Sequence, residues 1–174
     1  NGTDSLVITV SDSDGASSST HSMIIPIETT SVDDLPKLVG PGDVLEVAED
    51  GFAAISIMVA DVDSSGHGTL TLEISAKHGA IGFVRSSEEA GALAIQGTAV
   101  ERDTNTPQKW YSLVEVRGKI EDLNLLAASF VFSPETNFNT EAGGYASIRM
   151  DLSGERGGKK LIIDSGEYLV RVNS

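Results

Sequence analysis

Residues 145–158 read YASIRMDLSGERGG. Ala146, Ile148, Met150 and Leu152 alternate with Ser147, Arg149, Asp151 and Ser153. An apolar residue at every second position is the pattern of a strand that turns one face to a core. SGERGG (153–158) supplies a polar, Gly-rich turn, and Tyr168, Val170 and Val172 resume the alternation on a final strand. The chain opens on the same arrangement. In NGTDSLVITVSDSDG (1–15), Leu6, Ile8 and Val10 alternate with polar residues or Val7. SDSDGASSS (11–19) is a polar turn, and Met23, Ile25 and Ile27 form a second strand. Pro26 lies within that second strand and cannot donate to a ladder, which predicts an edge strand or an outward-facing position.

Ile8 matches Ile148, Val10 matches Met150 and Val32 matches Val172, each at an offset of 140 (148 less 8). A constant offset points to an internal repeat. The sequence therefore predicts one whole repeat over 37–174, preceded in 1–34 by the last two strands of another and a linker, SVDDLP (31–36). Two strands alone do not bury a core. Residues 1–34 are expected to be completed by a neighbouring repeat or by strand addition from another copy.

Between those ends the strand rhythm is regular. Leu45 and Val47 suggest one strand and Ile55, Ile57 and Val59 another. Leu70, Leu72 and Ile74 follow, then Ile81 and Phe83, Leu93 and Ile95, and 113–116 beside the only tryptophan, Trp110. In KIEDLNLLAAS (119–129), Ile120, Leu123, Leu126 and Ala127 have helical spacing, with Glu121 and Asp122 in the first turn, where the helix dipole favours acids. This predicts a short helical crossover at 119–128. Phe130 and Phe132 start a strand that stops at Pro134. Short β-branched runs separated by Gly, Ser, Asp and Asn predict an all-β protein.

Composition narrows the function classes. The net charge is −14, with 26 acidic against 12 basic residues in 174. Nothing here neutralises phosphates, so nucleic acid is excluded as a partner, and anionic membrane surfaces are poor ones. No apolar run approaches transmembrane length, so direct membrane insertion is not expected. There is no Cys, which removes disulfides, thiolate catalysis and cysteine–zinc sites. No Gly-x-Ser-x-Gly elbow, P-loop or metal-spaced His pair occurs, and no pair of carboxylates is singled out, so no enzyme is predicted. His21, His67 and His78 each abut a turn or strand end and read as solvated. Asp61, Asp63, Ser65 and Gly66 fit the start of an EF-hand loop, but the twelfth position is Leu72 rather than Glu, which rejects that reading.

The order of several elements resembles cadherin-like tandem repeats of large surface proteins. These are the linker VDDLP (32–36), AED (48–50), DVDSSGHGTLTLEI (61–74), HGAIGF (78–83) and IEDLNLLAASFVFSPETNFN (120–139). The resemblance implies an Ig-like Greek-key β-sandwich. The stretch 85–118 is longer than a compact repeat of that kind needs, so an inserted hairpin or loop is expected. The resemblance also implies Ca²⁺ at the junction between repeats. In such a fold the turn carrying Asp61 and Asp63 would lie at the linker end, near Asp33 and Asp34, while Glu49 would face the following linker. Clustered carboxylates of this kind suit a hard cation, although Asp is also a common turn residue. The linker departs from the family at Thr30, where an Asp is usual. Asn1-Gly2-Thr3 is a glycosylation sequon at Asn1.

The resulting expectation is a structural and adhesive repeat of a long extracellular or cell-surface protein. It would be a rigid spacer contacting neighbouring repeats of its own chain, and other copies in a filament or surface assembly. The alternative is a carbohydrate- or ligand-binding module, with Trp110 and Tyr111 as an exposed stacking platform.

Overall fold

A computed structural model describes residues 2–14, 17–30, 34–42, 44–62, 68–84, 94–100, 109–156 and 158–174. It divides into two units, 1–33 and 34–174.

The first unit is a single hairpin. Strand β1 (Gly2–Asp14) pairs antiparallel with β2 (Ser17–Thr29) along its whole length, from Gly2↔Thr29 to Asp14↔Ser17. The cross-strand pairs Leu6↔Ile25 and Ile8↔Met23, flanked by Val10 and Ile27, put six large apolar side chains on one face. All six are exposed, at 38–65%. The other face is mainly polar, with Thr9 and Ser22 hydroxyls 3.1 Å apart and Ser11 and Thr20 hydroxyls 3.4 Å apart.

The second unit is an all-β sandwich. Its elements in chain order are β3 (Lys37–Val39), β4 (Leu45–Ala48), β5 (Ala53–Ala54), β6 (Met58–Ala60), β7 (Leu70–Lys77), β8 (Gly79–Phe83), β9 (Ala94–Val100), β10 (Trp110–Gly118), α1 (Ile120–Ala127), β11 (Phe130–Pro134), α2 (Thr140–Gly143), β12 (Ala146–Arg156) and β13 (Lys159–Asn173). Hydrogen-bonded neighbours run β4-β13-β12-β7-β10-β8-β11-β5, with β9 on β10 and β3 paired to β6. β9 follows β10 over Trp110–Arg117, so β7 and β8 share the opposite edge of β10: β7 at 113–118 and β8 at 110–111. The β9–β10 hairpin fills the region where an insertion was expected; 85–93 and 101–108 lie outside the described residues.

The core follows from the alternation. Val116, Leu72 and Leu152 face one another across three strands, as do Val114, Ile74 and Met150. All six are buried and join Ile55, Val59, Ile81, Phe130 and Phe132 in one cluster. The expected crossover is α1, whose buried residues are Leu123, Leu126 and Ala127. It carries the chain from β10 to β11. Ile55, Ile57 and Val59 are buried as predicted, but 55–57 is not strand. The chain there changes partner: the Ile55 N–H still donates to the Phe130 carbonyl of β11 at 2.9 Å, and pairing with β3 begins at Met58.

The Val32–Val172 match needs correction. With Ile8 placed on Ile148, Met23 falls on Tyr168 and Ile25 on Val170, because these are the cross-strand partners in each hairpin, and continuing along the strand puts Ile27 on Val172. The second strand is therefore offset by 145 (170 less 25). The β12–β13 arm is two rungs longer and carries a bulge between Leu152 and Ser153, which sequence matching at a fixed offset does not allow for. Val32 lies outside the described residues.

Candidate functional site

The linker end of the sandwich is set by the β3–β6 ladder. Lys37 lies opposite Ala60 and Val39 opposite Met58. Asp34, three residues before Lys37, and Asp61, directly after Ala60, are thus brought to one end of this ladder. Asp33 and Asp63, the other two expected ligands, lie outside the described residues, as do His67 and the sequon residue Asn1. Among the described residues no group of three or more His, Asp or Glu side chains could hold a metal ion. Asp164 supports the same region: its carboxylate accepts the Leu38 N–H at 2.8 Å and the Ser165 N–H at 2.9 Å.

At the β4–β13 edge, a parallel ladder runs from Val170↔Leu45 to Asn173↔Ala48. The Glu49 N–H extends it by donating to the Asn173 carbonyl at 2.9 Å. Glu49 therefore adjoins Asn173 at the end of this ladder.

The aromatic platform of the alternative reading is not formed. Trp110 is 3% exposed and packs with Ala80 and Val131 in a satellite cluster, against which Val100 leans. Gly82 makes room for it: a β-carbon there would sit 2.8 Å from the indole. Tyr111 packs instead against the main core, edge-on to Phe83 at 5.7 Å. Adjacent strand residues point to opposite faces, so the two rings do not share a surface.

The outer face of β10, β7 and β12 is a charged surface that the sequence reading did not single out. Glu115, Glu73 and Asp151 lie in one cross-strand row. Like charges directly opposite repel, and cations offset them here. The Lys160 ammonium lies 3.1 Å from Glu115 and 3.4 Å from Glu73. Its pKa is raised by the hydrogen bond to Glu115, against a smaller opposing effect of partial burial. Arg149 forks onto Asp151 at 3.0 and 3.3 Å, which raises its pKa. Arg117 pairs with Glu155 at 2.9 Å. At the neighbouring edge Arg171 meets Tyr145 and Glu46, and both raise its pKa.

His78, expected to be merely solvated, has φ 55 and stacks on Phe138 at 4.6 Å with a 9° interplanar angle. Glu135 lies 3.4 Å from its Nδ1. The turn between β7 and β8 is thereby fastened to the segment after β11.

No family model matches the chain, and no curated relative matches it. Among solved structures it is similar to the sixth cohesin of Acetivibrio cellulolyticus scaffoldin B, solved with a Cel5 dockerin. That likeness has 8% identity and TM-score 0.44, and covers 80% of this chain and 98% of that one. It is similar also to the seventh ScaB type I cohesin of Pseudobacteroides cellulosolvens, at 11% identity and TM-score 0.37 over 80% and 94%. The CFA/I adhesin CfaE of enterotoxigenic E. coli aligns at 9% identity and TM-score 0.35, over 99% of this chain and 58% of that one. These are distant likenesses of fold. No helix among the described residues is long and apolar enough to cross a membrane.

Proposed function

We propose that the chain is a non-enzymatic structural and adhesive module, a cadherin-like β-sandwich repeat of a long extracellular surface protein, acting as a rigid spacer that binds other protein modules. One observation carries this reading. The apolar face of β1–β2 repeats the pattern of β12–β13, yet it is exposed in the first hairpin and buried in the second. Such a repeat is what a serial array of sandwiches contains. The filled core and the ion-paired outer face suit a spacer, whose task is to hold shape. Burial of Trp110 removes the support that the carbohydrate-binding alternative drew from the sequence.

Calcium at the linker belongs to the same proposal. The joint placement of Asp34 and Asp61 supports it, and the ion would stiffen the joint by drawing carboxylates together. The test is small-angle scattering of a chain with two whole repeats, with Ca²⁺ and with chelator. An extended particle that becomes shorter or more flexible on chelation supports a metal-stiffened spacer. An extended particle indifferent to chelator supports a spacer stiffened by packing alone. A collapsed or freely jointed particle in both conditions contradicts the spacer.

A further inference from the structure

We infer that β1–β2 is a docking hairpin whose partner is a β-sandwich of the 34–174 kind lacking its own final hairpin, and that it docks through the edge of β1 with its apolar face turned into that partner's core. This rests on the repeat reading above and adds the partner and the edge.

The partner follows from the corrected equivalence. Ile148, Met150, Val170 and Val172 are 0–1% exposed in the sandwich, whereas Ile8, Val10, Ile25 and Ile27 at the same places in the first hairpin are 38–65% exposed. A two-stranded hairpin is marginal by itself in water, and an apolar patch of this kind marks an interaction surface. Face-to-face pairing of two such hairpins would leave the outward backbone N–H and C=O groups of both edges unpaired. Ladder hydrogen bonds are therefore required as well as the face. The sandwich shows how they are supplied: β12 pairs antiparallel with β7 along Ser147–Gly154, and β13 takes the short parallel strand β4 at Val170–Asn173.

The edge follows from Pro26. Two residues separate Asp14 from Ser17, so Asp14↔Ser17 is a hydrogen-bonded pair and hydrogen-bonded pairs alternate from there. Ser5↔Pro26 is nine steps on and falls on a non-hydrogen-bonded pair. The backbone groups of Pro26 thus face outward from β2, where its ring nitrogen offers no donor. Pro26 stands in the place of Arg171, within the stretch where β13 meets β4. A strand added beside β2 would lose a hydrogen bond there. The outward positions of β1, including Val7, Thr9 and Ser11, keep every N–H, and they match the part of β12 that pairs with β7.

The test splices residues 34–140 ahead of residue 1 of the full chain, so that the hairpin follows a copy of this sandwich that lacks β12–β13. Amide exchange is read in β1 and β2. Exchange on the order of 100-fold slower than in the unspliced chain is expected. Ile8→Asp and Thr9→Pro should abolish the protection. Ser22→Pro, at an outward position of β2, should keep it. Hairpin amides that stay unprotected after splicing overturn the inference. Equal loss in Thr9→Pro and Ser22→Pro overturns the choice of edge. Protection that grows with concentration in the unspliced chain would make the partner a second copy instead, and overturns the inference too. A hairpin that docks in a tandem that scatters as a flexible particle would sink the spacer reading alone.

Discussion

The Asn124 side chain closes both backbone hydrogen bonds of Val59. Its Oδ1 accepts the Val59 N–H at 2.7 Å, and its Nδ2 donates to the Val59 carbonyl at 2.9 Å. Helix α1 thus treats β6 as a neighbouring strand would, and Val59 can lie in the core at 2% exposure with its backbone satisfied. Asn124→Ala leaves both groups without this partner. A loss of about 2 kcal/mol is expected, read by urea unfolding. Asn124→Asp retains the acceptor but turns a carboxylate oxygen on the Val59 carbonyl, so it should not restore the stability lost in Asn124→Ala. A neutral Asn124→Ala would mean that α1 does not anchor this segment.

Trp110 provides a direct optical check on the satellite cluster. Buried indole should emit at shorter wavelength than in the unfolded chain and resist acrylamide quenching. Trp110→Ala should cost about 3–5 kcal/mol, and Gly82→Ala should red-shift the emission by pushing into the ring. Quenching of the native protein as efficient as that of free tryptophan would restore an exposed aromatic site.

Lys160 contributes to stability on the alkaline side. Its pKa is raised in the folded state, first by the Glu115 hydrogen bond. A group whose folded pKa is raised contributes stability that is full below its unfolded pKa, about 10.4 for lysine, and lost as pH rises through the folded value. Lys160→Met should therefore lower stability slightly at neutral pH and flatten its decline above about pH 10. The side chain is 49% exposed, so the effect is small and should shrink further with added salt. A salt-independent loss would place the contribution of Lys160 in packing of its aliphatic stem.

Gly79 is fixed by the Phe132 ring. A β-carbon there would overlap the ring and stand 2.8 Å from the Ser133 carbonyl. Gly79→Ala should lower the melting temperature markedly and broaden the Phe132 environment seen by NMR. An unchanged melting temperature would contradict the close β8–β11 approach.

Much of this fold was legible in the sequence because its strands bury one face. The Ala146–Leu152 alternation became β12, and the helical spacing at 119–128 became α1. What escaped the sequence depends on partners. β3 is three residues long and has no period to read. The break at 55–57 comes from a change of neighbour, not of pattern. The Glu73–Glu115–Lys160 cluster joins three strands and is visible only once their register is known. The Asn124–Val59 contact spans 65 positions, and nothing in the pattern of α1, which also carries Glu121 and Asp122, marks Asn124 as its anchor. Of the four expected linker aspartates, strand register brings Asp34 and Asp61 to one end.

The most direct measurement is hydrogen exchange of the chain 1–174 alone at low concentration. The β1–β2 amides should exchange almost as in an unfolded peptide, while those of β7, β10 and β12 are strongly protected. Concentration-independent protection of β1–β2 equal to that of β12 would contradict a hairpin that needs a partner.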